Sequence, residues 1–311
     1  MFVNLFFLIS LFIVIGVSAR LAVNSLFKIT LNLRLSRFLT GFFVLGVFSS
    51  TPEMLVAINS AINRVPGLSL GNLIGAQVVL LTLIAGVSVF LTKKVDTLTS
   101  INKGEFLFIA AIIAMPIILG SNGRLSSLDG LLMVIIFVAY LIWMLLKNIG
   151  FLFSNHREKG ASSSAKPLVY LSFALVILII ASNYAVKLGH SLASAFGLSD
   201  FAIGVLLFSI GTNLPELAFA FSARSTERES LVLGDIIGSA AVNSLIVGLL
   251  AFLSPFSIID FNSFFLSSGF LVLVVGLFGF FVFSRRILSK KEALLLIFIY
   301  ALFIFSLIVL Q

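Results

Sequence analysis

Apolar residues run along this chain in ten blocks of membrane-spanning length, at about 2–18, 38–62, 69–91, 105–120, 130–146, 168–187, 201–222, 231–253, 264–283 and 293–310. A hydrocarbon core about 30 Å thick takes roughly 17–25 helical residues to cross. The pattern therefore predicts an all-α integral membrane protein of ten transmembrane helices. Val17-Ser18-Ala19 looks faintly like a cleavage site, but the first basic residue, Arg20, follows the run instead of preceding it. The run reads as a helix and not as a secretory leader.

Composition agrees. Hydrophobic residues make up 60% of the 311 and charged residues 10%, against about 25% charged in soluble domains. That balance excludes a soluble enzyme, a nucleic-acid binder and a disordered chain. The chain has no cysteine and two histidines, His156 and His190, which excludes disulfides, thiol catalysis and a histidine metal cluster. Ser and His at depth, or an Asp pair, would suggest an intramembrane hydrolase; no such constellation occurs, so the reading is not an enzyme and needs no cofactor.

Basic residues give the orientation. The odd-numbered connections carry 17 of the 20, and the even ones hold only Arg64, Arg124 and Lys187. Positive charge accumulates on cytoplasmic loops, so the odd connections are expected in the cytoplasm and both termini outside. The net charge of +8 is then topological and implies no acidic partner. The expected surroundings are the lipid bilayer and small cations, with no nucleic acid and no obligate protein partner, in a multi-pass plasma-membrane location. The longest polar connection, rich in Ser, Gly and Lys, lies near the middle of the chain and has linker composition. The expected division is a first five-helix repeat over 1–150, a cytoplasmic linker over 151–167 and a second five-helix repeat over 168–311.

The halves share a pattern. LSRFLTGFFVLGVFSSTPE from Leu35 matches LSDFAIGVLLFSIGTNLPE from Leu198 at an offset of 163, and the same offset pairs Gly71-Asn72-Leu73-Ile74-Gly75 with Gly234-Asp235-Ile236-Ile237-Gly238. Five spans per half is odd, so the duplication is an inverted-topology repeat, which places a substrate site near the midplane. Of the 12 acidic residues, ten are read as lying in connections or near span ends; Glu53 and Glu216 lie inside apolar runs and are repeat-equivalent. A carboxylate at bilayer depth costs several kcal/mol unless paired, protonated or hydrated, so the pair marks a functional site.

Each glutamate follows a proline, Pro52 or Pro215, which should free the carbonyls of Phe48 and Gly211. Ser49 and Ser50, and Thr212 and Asn213, stand three and four residues before each glutamate and share its helix face. Hard oxygen ligands of this kind suit Na⁺ or Ca²⁺. Gly71, Gly75, Gly234 and Gly238 read as close-packing positions. Asn72 and Asp235 read as helix caps. Ser239 and Asn243 lie four apart on one face, while their repeat mates, Ala76 and Leu80, carry no oxygen.

These paired motifs resemble the cation/calcium exchanger superfamily, whose two α-repeats carry G-T-S-x-P-E followed by G-N-x-x-G-S-N. Gly211-Thr212-Asn213-Leu214-Pro215-Glu216 is the better match and Phe48-Ser49-Ser50-Thr51-Pro52-Glu53 the weaker. The resemblance implies an ion cage with Glu53 and Glu216 as central carboxylates, flanked by Ser49, Ser50, Thr212 and Asn213. It also implies backbone carbonyls from Gly46 and Ser209, and Ser239 and Asn243 from the later helix. Phe48, Ala76 and Leu80 depart from the pattern, as does Asn243, where many relatives have an acid. The implied function is Na⁺/Ca²⁺ antiport by alternating access. The alternatives are exchange of Ca²⁺ or another cation for H⁺, and a non-transporting exchanger homologue.

Overall fold

A computed structural model describes residues 2–30, 42, 45–92, 95–96, 102–147, 166–222, 229–284 and 287–311. The chain forms α1 (Phe2–Thr30), α2 (Gly46–Ser49), α3 (Thr51–Ile62), α4 (Pro66–Val79), a π-helical turn (Leu80–Ile84), α5 (Ala85–Thr92), β1 (Val95–Asp96), α6 (Lys103–Gly120), β2 (Arg124–Leu125) and α7 (Ser127–Lys147). After residues 148–165, which hold most of the expected linker and are not described, come α8 (Lys166–Phe196), α9 (Asp200–Ile203), a second π-helical turn (Gly204–Phe208), α10 (Ser209–Thr212), α11 (Leu214–Ser222), α12 (Glu229–Leu253), β3 (Phe256–Ser257), α13 (Phe261–Ser284), β4 (Ile287–Leu288) and α14 (Lys290–Leu310). Nine helices among the described residues are long and apolar enough to cross a membrane. The run expected at 38–62 falls partly outside them, because 38–41 and 43–44 are not described.

Two spans are longer than their apolar runs. The α1 helix continues to Thr30 and α8 to Phe196, so Arg20, Lys187 and His190 lie on helices and not in connections. Apolar counting sees only the hydrocarbon-embedded part, whereas a helix can continue into the interface with long charged side chains reaching water. These two helices pack along each other through Leu8, Phe12, Ile15 and Ala19 on one and Ala174, Leu178, Ala181 and Ala185 on the other. Small alanines let the two backbones approach closely.

The centre is held by the two runs that follow the broken helices. Pro66–Leu91 and Leu231–Leu253 are 83% and 78% buried, against 28% for Phe2–Leu26. They are crossed by the segments before each proline at distances that exclude side chains. A Cβ on Gly71 would lie 2.1 Å from the Phe201 carbonyl oxygen, and one on Gly204 2.2 Å from that of Leu68. In the other half, a Cβ on Gly238 would lie 2.6 Å from the Phe42 carbonyl oxygen. The expected packing role holds for Gly71 and Gly238, and Gly204 shares it.

Other features repeat at the shared offset. Ser126 and Asp129 cap α7 reciprocally, with Ser126 N donating to Asp129 Oδ2 at 2.8 Å and Asp129 N to Ser126 Oγ at 3.2 Å. Ser289 and Glu292 form the matching capping box on α14. Two short antiparallel ribbons pair β1 with β4 and β2 with β3, in register Val95↔Leu288 and Arg124↔Ser257. Asp260, just before α13, accepts from the Ser199 hydroxyl, from Ser263 N at 3.1 Å and from Gln311 Nε2 at 3.3 Å. Burial pushes its carboxyl up, but the hydrogen bonds of Ser199, Ser263 and Gln311 outweigh that and hold it below the ordinary value.

A depressed carboxylate stabilises the fold above its unfolded pKa and loses that contribution as pH falls through the folded value. Asp260→Asn is therefore expected to lower the melting temperature at neutral pH, with the gap to wild type closing below about pH 4, the ordinary aspartate range. Thermal unfolding in detergent across pH 3–8 reads this. Gly71→Ala is expected to destabilise by about 1–3 kcal/mol or more through overpacking. Gly276→Ala, where nothing lies within 4 Å of the new Cβ, should be neutral or slightly stabilising; chemical unfolding compares the two.

Candidate functional site

Each proline stands just after a break in its helix. The α2 segment ends at Ser49, Ser50 separates it from α3, and α3 starts with Pro52 and Glu53 in its first turn; Asn213 separates α10 from α11, whose first turn holds Glu216. Both glutamates are buried at 1% exposure. Glu216 lies within electrostatic reach of Glu53 and Asp235. The hydroxyls cross over between repeats: Ser49 of the first neighbours Glu216 of the second, and Thr212 of the second neighbours Glu53 of the first.

A second pair of contacts obeys the same symmetry. Ser49 Oγ donates to Asp235 Oδ1 at 3.1 Å, and Thr212 Oγ1 donates to Asn72 Oδ1 at 3.2 Å. Positions 49 and 212, and 72 and 235, are separated by the repeat offset. Asn72 and Asp235 are each the seventh residue of their helices, α4 and α12. The expectation that they cap helix ends is corrected: both are buried, at 0% and 2% exposure, and both accept from a hydroxyl of the opposite repeat. Asp235 also overturns the placing of ten acids in connections or near span ends, because it is a third carboxylate beside the two glutamates. Its signal was available, since a polar residue stands inside an apolar run at both repeat-equivalent positions.

Ser239 reaches the same cluster, with its Oγ 3.1 Å from Ser49 Oγ and 3.4 Å from the Gly46 carbonyl oxygen. Asn243, one turn on, is 1% exposed. The carbonyls are more engaged than the prolines suggested. That of Phe48 accepts from Thr51 Oγ1 at 2.6 Å, so it is not free. Gly46 accepts from Ser50 Oγ at 2.8 Å, and Ser209 accepts from Asn213 Nδ2 at 2.8 Å. Ser50 and Ser209 spend their hydroxyl protons on backbone carbonyls four residues back, as serines in membrane helices do, and Thr212 also approaches the Phe208 carbonyl oxygen at 3.0 Å. Each of these hydroxyls keeps lone pairs for a cation.

Four carboxylate oxygens, two on Glu53 and two on Glu216, are buried without a hydrogen-bond partner, as are Asn213 Oδ1 and Asn243 Oδ1. Leaving buried charged groups unpaired costs several kcal/mol each. Among the described residues, no three Asp, Glu, His or Cys side chains converge closely enough to hold a metal ion by themselves. A hard cation here would draw on the neutral oxygens as well. A cavity of about 340 Å³ reaches the cluster and is lined by Arg20, Asn24, Leu45, Ser49, Glu216 and Asp235.

Sequence reasoning also passed over Gln77. It is fully enclosed on α4, and its Nε2 donates to the Ala240 carbonyl oxygen at 2.9 Å and to Ser244 Oγ at 2.7 Å on α12. Ala240 is its repeat mate, so Gln77 bridges the two helices at their symmetry crossing. Beside it, Ala76 and Leu80 are both fully buried and form an apolar wall where the second repeat has Ser239 and Asn243.

Comparison with known proteins gives a family context. The sequence pattern of the sodium/calcium exchanger protein family matches residues 3–146 and again 166–309. An uncharacterised membrane protein of Methanocaldococcus jannaschii is 29% identical over 212 residues, 68% of this chain and 69% of that protein. The sodium/calcium exchanger MaX1 of Methanosarcina acetivorans is 22% identical over 283 residues, 78% of this chain and 81% of its own. A solved structure of the sodium–calcium exchanger NCX_Mj superposes with a TM-score of 0.68 over 97% of this chain and 98% of that one, at 22% identity, so the fold is shared.

Gln77→Ala removes both hydrogen bonds across the α4–α12 crossing. It is expected to cost about 1–3 kcal/mol, the range for stranding a buried polar partner, measured as a loss of melting temperature in detergent. Gln77→Glu should cost more, because it adds a buried charge.

Proposed function

The chain belongs to the sodium/calcium exchanger protein family, a family of membrane ion exchangers and not of enzymes, and from that premise we propose that it exchanges Ca²⁺ for Na⁺ by alternating access at the Glu53–Glu216 site. The observation that carries the reading is the set of four buried, unpartnered carboxylate oxygens on two repeat-equivalent glutamates. Ionised, the pair holds a charge of −2, which one Ca²⁺ or two Na⁺ would neutralise. Ligands from Ser49, Ser50, Thr212, Asn213, Ser239, Asn243 and the Gly46 and Ser209 carbonyls complete the proposed oxygen cage. Competition for the same oxygens makes one ion leave before the other binds. A neutralised site can cross between its two accessible states, whereas an empty charged one meets a large desolvation penalty.

The proposed architecture is two inverted five-helix repeats, over 1–150 and 168–311, joined by a cytoplasmic linker, with both termini outside a plasma membrane. The ribbons support this arrangement. The first joins connections carrying Lys93, Lys94, Arg285 and Arg286, and the second joins the poorly charged connections at Arg124 and Phe256. Each ribbon thus unites connections that the charge count assigns to one face. In this arrangement the cavity lined by Arg20, Asn24 and Asp235 lies on the cytoplasmic side of the proposed site.

A second reading, exchange of Ca²⁺ for H⁺, is favoured by one observation. Ala76 and Leu80 are fully buried apolar residues that leave the first repeat with fewer oxygens for auxiliary sodium ions.

Purified protein in liposomes distinguishes the readings. Ca²⁺ uptake driven by internal Na⁺ is expected in wild type and is expected to vanish in Glu53→Gln and in Glu216→Gln. Uptake with a pH gradient alone would select proton exchange. Wild-type flux in either glutamine variant would overturn the site assignment.

A further inference from the structure

Asp235 carries a charge that the fold does not require. Its Oδ1 accepts the Ser49 hydroxyl at 3.1 Å, and the Ser239 hydroxyl also lies beside its carboxylate. At the symmetry-related position, Asn72 does the same for Thr212 with a neutral amide oxygen at 3.2 Å. An amide therefore meets the packing and hydrogen-bonding needs of this crossing. A carboxylate at 2% exposure adds a desolvation cost of several kcal/mol without a structural return.

Its surroundings give the charge a purpose. Asp235 lies beside the Ser49 and Ser239 hydroxyls, which are 3.1 Å from each other. It lines the 340 Å³ cavity together with Glu216, whose two oxygens have no hydrogen-bond partner. The symmetry-related corner is poorer in oxygen, with neutral Asn72 in place of the acid and Ala76 in place of Ser239. Hard ligands are thus concentrated on one side of the glutamate pair, at the end open to the cavity.

Resting on the exchange reading above, we propose that Asp235 is an anionic ligand of the transported cation at an entry subsite it shares with Glu216, beside the Glu53–Glu216 site and not within it. It works with the Ser49 and Ser239 hydroxyls and Glu216, and it makes the two symmetry-related halves of the site unequal in affinity. A hard cation such as Ca²⁺ or Na⁺ entering from the cavity meets this corner first. With all three acids ionised the site and its entry subsite together hold a charge of −3, so one bound Ca²⁺ leaves a unit charge for a monovalent cation.

Asp235→Asn tests this, because it keeps the acceptor for Ser49 and removes only the charge. In purified full-length protein, ⁴⁵Ca²⁺ binding is expected to weaken at least tenfold in Asp235→Asn, with the ion-free melting temperature unchanged or raised. Glu53→Gln, run alongside, is expected to abolish binding. Wild-type affinity in Asp235→Asn with binding lost in Glu53→Gln would reduce Asp235 to a hydrogen-bond acceptor, overturning the proposal while the exchange reading stands. Wild-type affinity in both variants would overturn the exchange reading and the proposal with it. A measurement on unsubstituted protein covers failure of the variant to fold. With ¹³C-labelled aspartate carboxylates, Ca²⁺ addition is expected to shift the aspartate infrared band as well as the glutamate band, and a shift confined to glutamate would overturn the proposal.

Discussion

Two carboxylates buried without partners dominate this molecule. Glu53 and Glu216 are each 1% exposed, and none of their four oxygens receives a hydrogen bond. Hydrophobic packing around them cannot remove that cost, because a low-dielectric medium makes an unpaired charge more expensive, not less. The neighbouring groups are hydroxyls, amides, carbonyls and a third acid, Asp235, which solvate or attract a cation and cannot neutralise a carboxylate. The arrangement is stable only with positive charge between the glutamates or a proton on them, and that demand is what supports the proposed ion site.

The fold supplies the demand twice over. A proline before each glutamate stops one helix and starts the next, so the carboxylate sits in a first turn at a break and not on an uninterrupted cylinder. Broken helices can meet at the midplane only if the helices crossing them come very close. Glycines at 71, 204 and 238 allow that closeness, since a Cβ at each would lie 2.1–2.6 Å from a backbone oxygen. The contacts that follow run between repeats: Ser49 to Asp235, Thr212 to Asn72 and Gln77 to Ala240. Because these contacts tie the two repeats together around the glutamates, moving one half against the other would change the surroundings of both carboxylates.

Much of this was legible in the sequence because it depends on local pattern. The apolar runs marked the nine spans found among the described residues, and the shared offset located Pro52-Glu53 and Pro215-Glu216 from the sequence alone. What escaped was set by distance along the chain or by the limits of hydropathy. Asp235 read as a cap because it sits in the early turns of its apolar run; its partner, Ser49, is 186 residues away. Gln77 carried no motif, and its role appears only where two helices cross. The Phe48 carbonyl was expected to be free, yet the neighbouring Thr51 hydroxyl takes it up at 2.6 Å. The helices carrying Arg20 and His190 were cut short because an apolar count ends where the hydrocarbon does.

The most direct test of the account is crystallographic. Crystals of the protein soaked in Sr²⁺, a hard divalent with usable anomalous scattering, should give an anomalous peak between the carboxylates of Glu53 and Glu216, within coordination distance of oxygens from both repeats. An ordered site with no peak there, or Sr²⁺ held only by acids away from the cluster such as Asp129 and Asp200, would contradict the claim that the buried glutamate pair is where this protein carries its cation.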